Sequence, residues 1–189
     1  MGVLKYKESA PNTYYHLYNR GNKKKEIFLD KTDYRIYLNR LLKASKKYNF
    51  SIIAYCLKPN HFHLIVKQND LSSPANLMAS VNTSYSMIFN LKYKTVGHLF
   101  QDRYKQKIIK DDQYILNLIA YIHFNPVNDK LCVFPKEYCW SSYLEYAGLV
   151  KNWLCDKQLM DSFNLKGQSF EDYIRSSYEI SPYDAFDQD

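Results

Sequence analysis

Residues 50–67 read FSIIAYCLKPNHFHLIVK, and the fold is decided there. Two apolar runs rich in β-branched and aromatic residues, FSIIAYCL (50–57) and HFHLIVK (61–67), flank Lys58-Pro59-Asn60. Pro and Asn favour tight turns, so the two runs close into an antiparallel hairpin. On a strand, residues i and i+2 share a face. His61 and His63 therefore present both imidazoles on one side, while Phe62 points to the other side, into the core. Two imidazoles on one face can chelate a metal ion; the same spacing also fits a pair of ordinary surface or core histidines.

Upstream, TYYHLYN (13–19) reads as a strand and Asn22 to Lys25 as a basic turn. From Thr32 to Tyr48, Tyr34, Tyr37, Leu38, Leu41 and Leu42 recur at helical spacing and predict an amphipathic helix. Downstream, Ser73 followed by Pro74 is a helix start that runs to about Tyr93, with Leu77, Val81, Tyr85 and Ile88 on one face. The stretch Leu99–Ile109 holds a strand in its latter part. Asp111 then caps a helix predicted to stop near Phe124, because Asn125-Pro126 ends it. The order strand, helix, strand, strand, helix, strand, helix is that of an α+β, ferredoxin-like fold. It predicts an antiparallel sheet with helices on one face, plus one added helix. The tail from Glu171 to Asp189 is acidic and is expected to be a mobile or shielding element.

A chain of 189 residues with 46% hydrophobic content has room for one domain with an appendage. With 19 tyrosines, composition alone singles out no catalytic one. The net charge of +7 and pI near 9.0 suit a polyanionic partner. Basic residues gather at Arg20, Lys23, Lys24 and Lys25, and again at Lys92, Lys94, Arg103, Lys105, Lys107 and Lys110. Tyr14, Tyr15, Tyr18, Tyr93, Phe100 and Tyr104 are interleaved with them, and phosphate contact combined with base stacking is how single strands are held. Cys56, Cys132, Cys139 and Cys155 form no CxxC pair, which argues against a zinc knuckle or disulfide framework. No apolar run has the ~18 residues of a membrane span, the N-terminus has no signal-peptide core, and Tyr6 breaks the myristoylation pattern. The expectation is a soluble cytoplasmic protein with no membrane partner.

Several stretches carry a family likeness. AYCLKPNHFHLIV (54–66) resembles the signature of the HUH single-tyrosine transposases of insertion sequences. YHLYNRGNKKKEIF (15–28) resembles their first strand and following loop, and FQDRYKQKII (100–109) their fourth strand. YIHFNPV (121–127) and WSSY (140–143) resemble the branch known as REP-associated tyrosine transposases. The likeness spans roughly residues 13–149, which implies a catalytic domain over 1–149 and an extension of unknown role over 150–189. It implies that His61 and His63 bind a metal, that Asn125 adds an amide ligand, and that Tyr121 is the nucleophile. Many members have Gln at the position of Asn125. The implied reaction is metal-dependent cleavage and rejoining of single-stranded or hairpin DNA through a 5′-phosphotyrosine link, by a monomer or a homodimer.

The residues agree with that assignment. Tyr121 and Asn125 are i and i+4 on one helix and share a face. Two imidazoles and an amide are all neutral, so a scissile phosphate can complete the coordination. Imidazoles alone would allow zinc, but completion by phosphate and water suits Mg2+ or Mn2+. A phenol is a weak nucleophile at neutral pH, and no residue stands out in the sequence as its base. Transesterification conserves the bond energy, in keeping with the lack of a P-loop.

Arg20, Lys23, Lys24, Arg103 and Lys105 are the expected DNA contacts, with solvated charge as the plainer account of each. His16 on the first strand faces either the site or the core, as a group that orients a neighbour. His98 and His123 are expected on the surface or against DNA, Tyr114 in packing, and Trp140 in holding the C-terminal segment to the body. The alternative function is a non-catalytic binder of single-stranded nucleic acid, since RNA-recognition modules share this sheet plan. Such modules need no His-x-His, and their Gly/Phe-rich strand motif is missing here.

Overall fold

The computed structural model describes residues 10–165 and 167–180. Its elements are β1 (Thr13–Arg20), α1 (Lys31–Lys47), β2 (Phe50–Lys58), β3 (His61–Gln68), α2 (Pro74–Tyr93), β4 (Lys105–Ile109), α3 (Asp112–Asn128), α4 (Tyr143–Tyr146), α5 (Gln158–Ser162) and α6 (Gln168–Ile180). The strands form one antiparallel sheet in the order β2-β3-β1-β4, the ferredoxin-like arrangement.

The helix starts follow from their capping residues. Asp30 accepts from the backbone of Thr32 and Asp33, while the Asp33 carboxylate reaches back to the amides of Leu29 and Asp30. Ser73 accepts from Ala75 N–H ahead of α2, and Asp111 accepts from Tyr114 N–H ahead of α3. The far end of α3 departs from expectation. The helix runs through Pro126 to Asn128 instead of stopping near Phe124. Pro126 lies in the last turn, so its ring forfeits one ladder bond, and the turn is closed beyond it by Asp129 N–H to Asn125 and Leu131 N–H to Pro126. Asn125 therefore stays helical and stacks one turn beyond Tyr121.

Strand alternation divides the sheet into two faces. Phe62 lies under α1 and α2, its ring 5.1 Å from Tyr37, which in turn meets Tyr85 edge-on at 5.2 Å. Residues His16, Tyr18, His61 and His63 turn to the opposite face, where α3 lies. The β1–β3 register sets Tyr18 opposite His63 and Arg20 opposite His61. Chain reversal after β1 depends on Gly21, where a Cβ would come within 2.0 Å of the Lys25 carbonyl oxygen.

Both sheet edges are managed. Leu57 N–H bonds to Trp140, Ser142 N–H to Tyr55 and Asp156 N–H to Ile52, so the chain after α3 covers β2. Exposed Lys105 and Lys107 protect β4. Trp140 stacks on Tyr34 of α1 at 4.5 Å. The buried Glu145 carboxylate accepts the Tyr55 hydroxyl and the amides of Trp153, Leu154 and Cys155, which fixes the turn into the last helices. In α6, Phe170 and Ile174 are buried, and the Tyr173 hydroxyl shares Gln113 and Asn117 of α3. Residues 181–189 of the acidic tail lie outside the described part. Among the described residues no helix is long and apolar enough to cross a membrane.

Candidate active site

The start of β3 brings the two histidines together. Their ring centroids are 5.3 Å apart, edge to face, on the side of the sheet away from Phe62. His63 is 2% exposed, and its Nδ1 is 3.1 Å from Nε2 of His16 on β1. The first-strand histidine thus faces the site and fixes the orientation of the His63 ring. With Nδ1 engaged, His63 Nε2 is left buried with no hydrogen-bond partner among the described residues. Such an atom is costly unless something meets it.

Burial lowers the pKa of all three rings. His16 falls to about 3 through desolvation and the Lys107 charge, and His61 to about 3 through desolvation, Lys58 and Arg20. His63, buried beside the other two, is held well below the usual histidine range. The imidazoles are neutral at physiological pH, the form that ligates metals.

Tyr121 of α3 is 5% exposed, and its ring stands edge-on to His63 at 6.1 Å between centroids. Asn125, one turn on, is fully buried. Its Oδ1, the atom a metal would take, accepts from the Nζ of Lys58, which also pairs with Asp129 at 2.8 Å. Asn125 Nδ2 is buried without an acceptor among the described residues. The His63 ring meets both the His61 ring and the Tyr121 ring, while the amide is engaged by a lysine. No group of three or more His, Cys, Asp or Glu side chains among the described residues forms a metal cage. The histidine pair with its orphaned nitrogen fits a metal completed by an amide, water or phosphate.

The expected DNA contacts divide. Arg20, Arg103 and Lys105 line a pocket of about 420 Å3 together with Tyr18, His61 and His63. Lys23 and Lys24 lie outside it, exposed on the turn after β1 with left-handed φ of 54° and 59°. Lys92 is withdrawn from the basic set, because its Nζ is held by Asp30 at 2.7 Å and Asp33 at 2.8 Å.

Three other expectations have definite outcomes. His98 is exposed. His123 was expected on the surface or against DNA, but it is fully buried, with Nε2 2.7 Å from Ser142 Oγ and its ring against Tyr143, Tyr146 and Phe170. It does lie on a different helix face from Tyr121, but α4 and α6 cover that face. Tyr114 was expected in packing and is 37% exposed, at the start of α3. Lys58 is the residue the sequence reading overlooked. Beside Pro59 it reads as a turn residue, and its position at the end of an apolar strand was the signal.

The IS200-like transposase family matches residues 9–125. A Haemophilus influenzae protein named for the REP-associated tyrosine transposases is 29% identical over 123 residues, covering 57% of this chain and 69% of that one. The solved structure of a REP-associated tyrosine transposase bound to a REP hairpin superposes with a TM-score of 0.61 at 18% identity, covering 82% of this chain and 93% of that one. That likeness is one of fold. With the family match covering most of its length, the chain belongs to the IS200-like transposase family.

Proposed function

We infer that this transposase cleaves and rejoins single-stranded DNA, with Tyr121 as nucleophile and a divalent metal, Mg2+ or Mn2+, held by His61 and His63. The observation that carries the reading is the meeting of His61, His63 and Tyr121 on one side of the sheet, with His63 Nε2 buried and unpartnered among the described residues. Asn125 would be the third ligand in this reading, its Oδ1 released from Lys58 to take the metal. A metal held there would supply Lewis-acid polarisation of the scissile phosphate. Arg20, Arg103 and Lys105 hold the flanking phosphates in the same pocket, and exposed Lys23 and Lys24 extend the basic surface.

The Tyr121 Oη bonds to phosphorus, the bond from phosphorus to the 3′ oxygen breaks, and the 3′ oxygen leaves as a hydroxyl. The phenol loses its proton and the leaving oxygen gains one, so the step balances without a nucleotide cofactor. Attack by another 3′-hydroxyl reverses it and joins strands. A hairpin-bearing strand is the natural substrate to try, since the solved relative holds a REP hairpin. The test is incubation with Mg2+ or Mn2+ and hairpin-tailed single strands, followed by a denaturing gel. A covalent protein–DNA band is expected. If no single strand is cleaved with either metal, the chain is a non-catalytic single-strand binder.

A further inference from the structure

A second cavity, of about 800 Å3, opens between α2 and the loop that leads into β4. It adjoins the pocket at the histidines, and Asn19, Gln101, Asp102 and Arg103 line both. Its outer wall is stitched in place. Gln101 N–H bonds to the Arg20 carbonyl, Asn22 N–H to Leu99, Asn19 Nδ2 to the Asp102 carbonyl and Asn90 Nδ2 to the Gly97 carbonyl. The groove is therefore preformed.

Its chemistry differs from that of the neighbouring pocket. Arg20, Arg103 and Lys105 concentrate positive charge beside the histidines. Among the groove's lining side chains, Arg103 is balanced by Asp102. Met78 and Phe100 make a buried apolar floor, and α2 contributes Asn82, Thr83 and Ser86. Asn82 Oδ1 accepts from the Tyr37 hydroxyl, which leaves its amide N–H2 for the groove. A nearly neutral groove draws no phosphate. An apolar floor with amide and hydroxyl groups at its rim is what an unstacked base requires, a surface to lie on and partners for its edge.

We propose that this groove is a base-reading pocket: it takes an unpaired nucleobase from the strand whose phosphate lies at His61 and His63, a few nucleotides from that phosphate. The backbone crosses at Arg103, which lines both cavities, and the base turns away from the basic side toward α2. Asn82, Ser86 and Gln101 then determine which base is accepted. This rests on the reading of the chain as a single-strand DNA enzyme, but its test does not depend on cleavage.

The test uses Tyr121→Phe protein throughout and DNA hairpins that carry a randomised single-stranded tail. Bound molecules are selected and sequenced. A base preference at one or two tail positions is expected. Ser86→Leu breaks no fold hydrogen bond among those described and fills the groove. It should erase that preference and weaken binding of the selected tail about tenfold, the scale of one well-made base contact, with the salt dependence unchanged. Asn82→Ala should relax the preference, with circular dichroism confirming that loss of the Tyr37 bond leaves the fold intact. The proposal is overturned if the parent protein shows no tail preference, if Ser86→Leu keeps both preference and affinity, or if Ser86→Leu lowers the salt slope, which marks a phosphate contact.

Discussion

Lys58 on β2 and Asn125 on α3 are joined by a hydrogen bond from Nζ to Oδ1, and the same ammonium pairs with Asp129 at 2.8 Å. This buried cation ties the last turn of the tyrosine-bearing helix to the sheet that carries the histidines. It also competes with a metal for the Asn125 carbonyl and adds positive charge beside His61 and His63. Lys58→Met should cost about 1–3 kcal/mol of stability, through loss of the bonds to a buried amide and a half-buried carboxylate. In folded protein at low temperature, Mn2+ binding measured by calorimetry should tighten several-fold. Tenfold weaker binding in protein that is still folded shows instead that Lys58 supports the ligand geometry.

His16 predicts a different pattern. Its Nε2 is 3.1 Å from His63 Nδ1, and groups that orient a ligand histidine commonly contribute 10–100-fold in metal affinity. His16→Ala should weaken Mn2+ binding by about that factor. His16→Gln, which keeps a hydrogen-bonding group on the strand, should recover part of it. Calorimetric titration of both variants checks this, and equal affinity in wild type and His16→Ala removes His16 from the site.

His123 offers a pH test away from the metal pair. Burial lowers its folded pKa to about 3 from the ordinary histidine value of 6.5. The unfolded chain therefore binds a proton that the folded chain refuses. The stabilisation is complete above pH ~6.5 and is lost as the pH falls toward 3, by up to about 1.4 kcal/mol per pH unit. His123→Gln keeps a partner for Ser142 and removes the titration. Urea unfolding between pH 7 and pH 4 should show a shallower loss for the variant; parallel curves mean that His123 takes up its proton without unfolding.

How far these features could be read in advance depends on the range of the interaction. His61 and His63 were legible because period-two alternation is local, and the start of α2 because Ser73-Pro74 states its own cap. The roles of Lys58 and His123 were not legible. Lys58 meets a partner 67 residues away, and His123 is covered partly by Phe170, whose helix lies beyond the likeness to the family. Pro126 misled for a related reason: a proline in the last turn forfeits a single bond, and packing of α3 against β2 and α6 outweighs it. Tyr114 is the converse case, since a residue on a helical stripe in sequence can still project beyond the core at the helix start.

The contrast between Tyr114 and Tyr121 gives the sharpest prediction. Both lie on α3, seven positions apart, which is about 10 Å of helical rise. One phosphate cannot be reached by both hydroxyls. Tyr121 is 5% exposed with its ring against His63, whereas Tyr114 is 37% exposed at the far end of the helix. Tyr121→Phe removes one hydroxyl and keeps the ring, so packing and DNA affinity should hold while cleavage and the covalent adduct disappear. Tyr114→Phe should cleave at nearly the wild-type rate. His61→Ala and His63→Ala should also lose cleavage, but through the metal, so a higher Mn2+ concentration should restore part of it. No metal concentration should rescue Tyr121→Phe. An adduct in Tyr121→Phe protein, seen on a denaturing gel, moves the nucleophile elsewhere and removes the central residue of the proposed reaction.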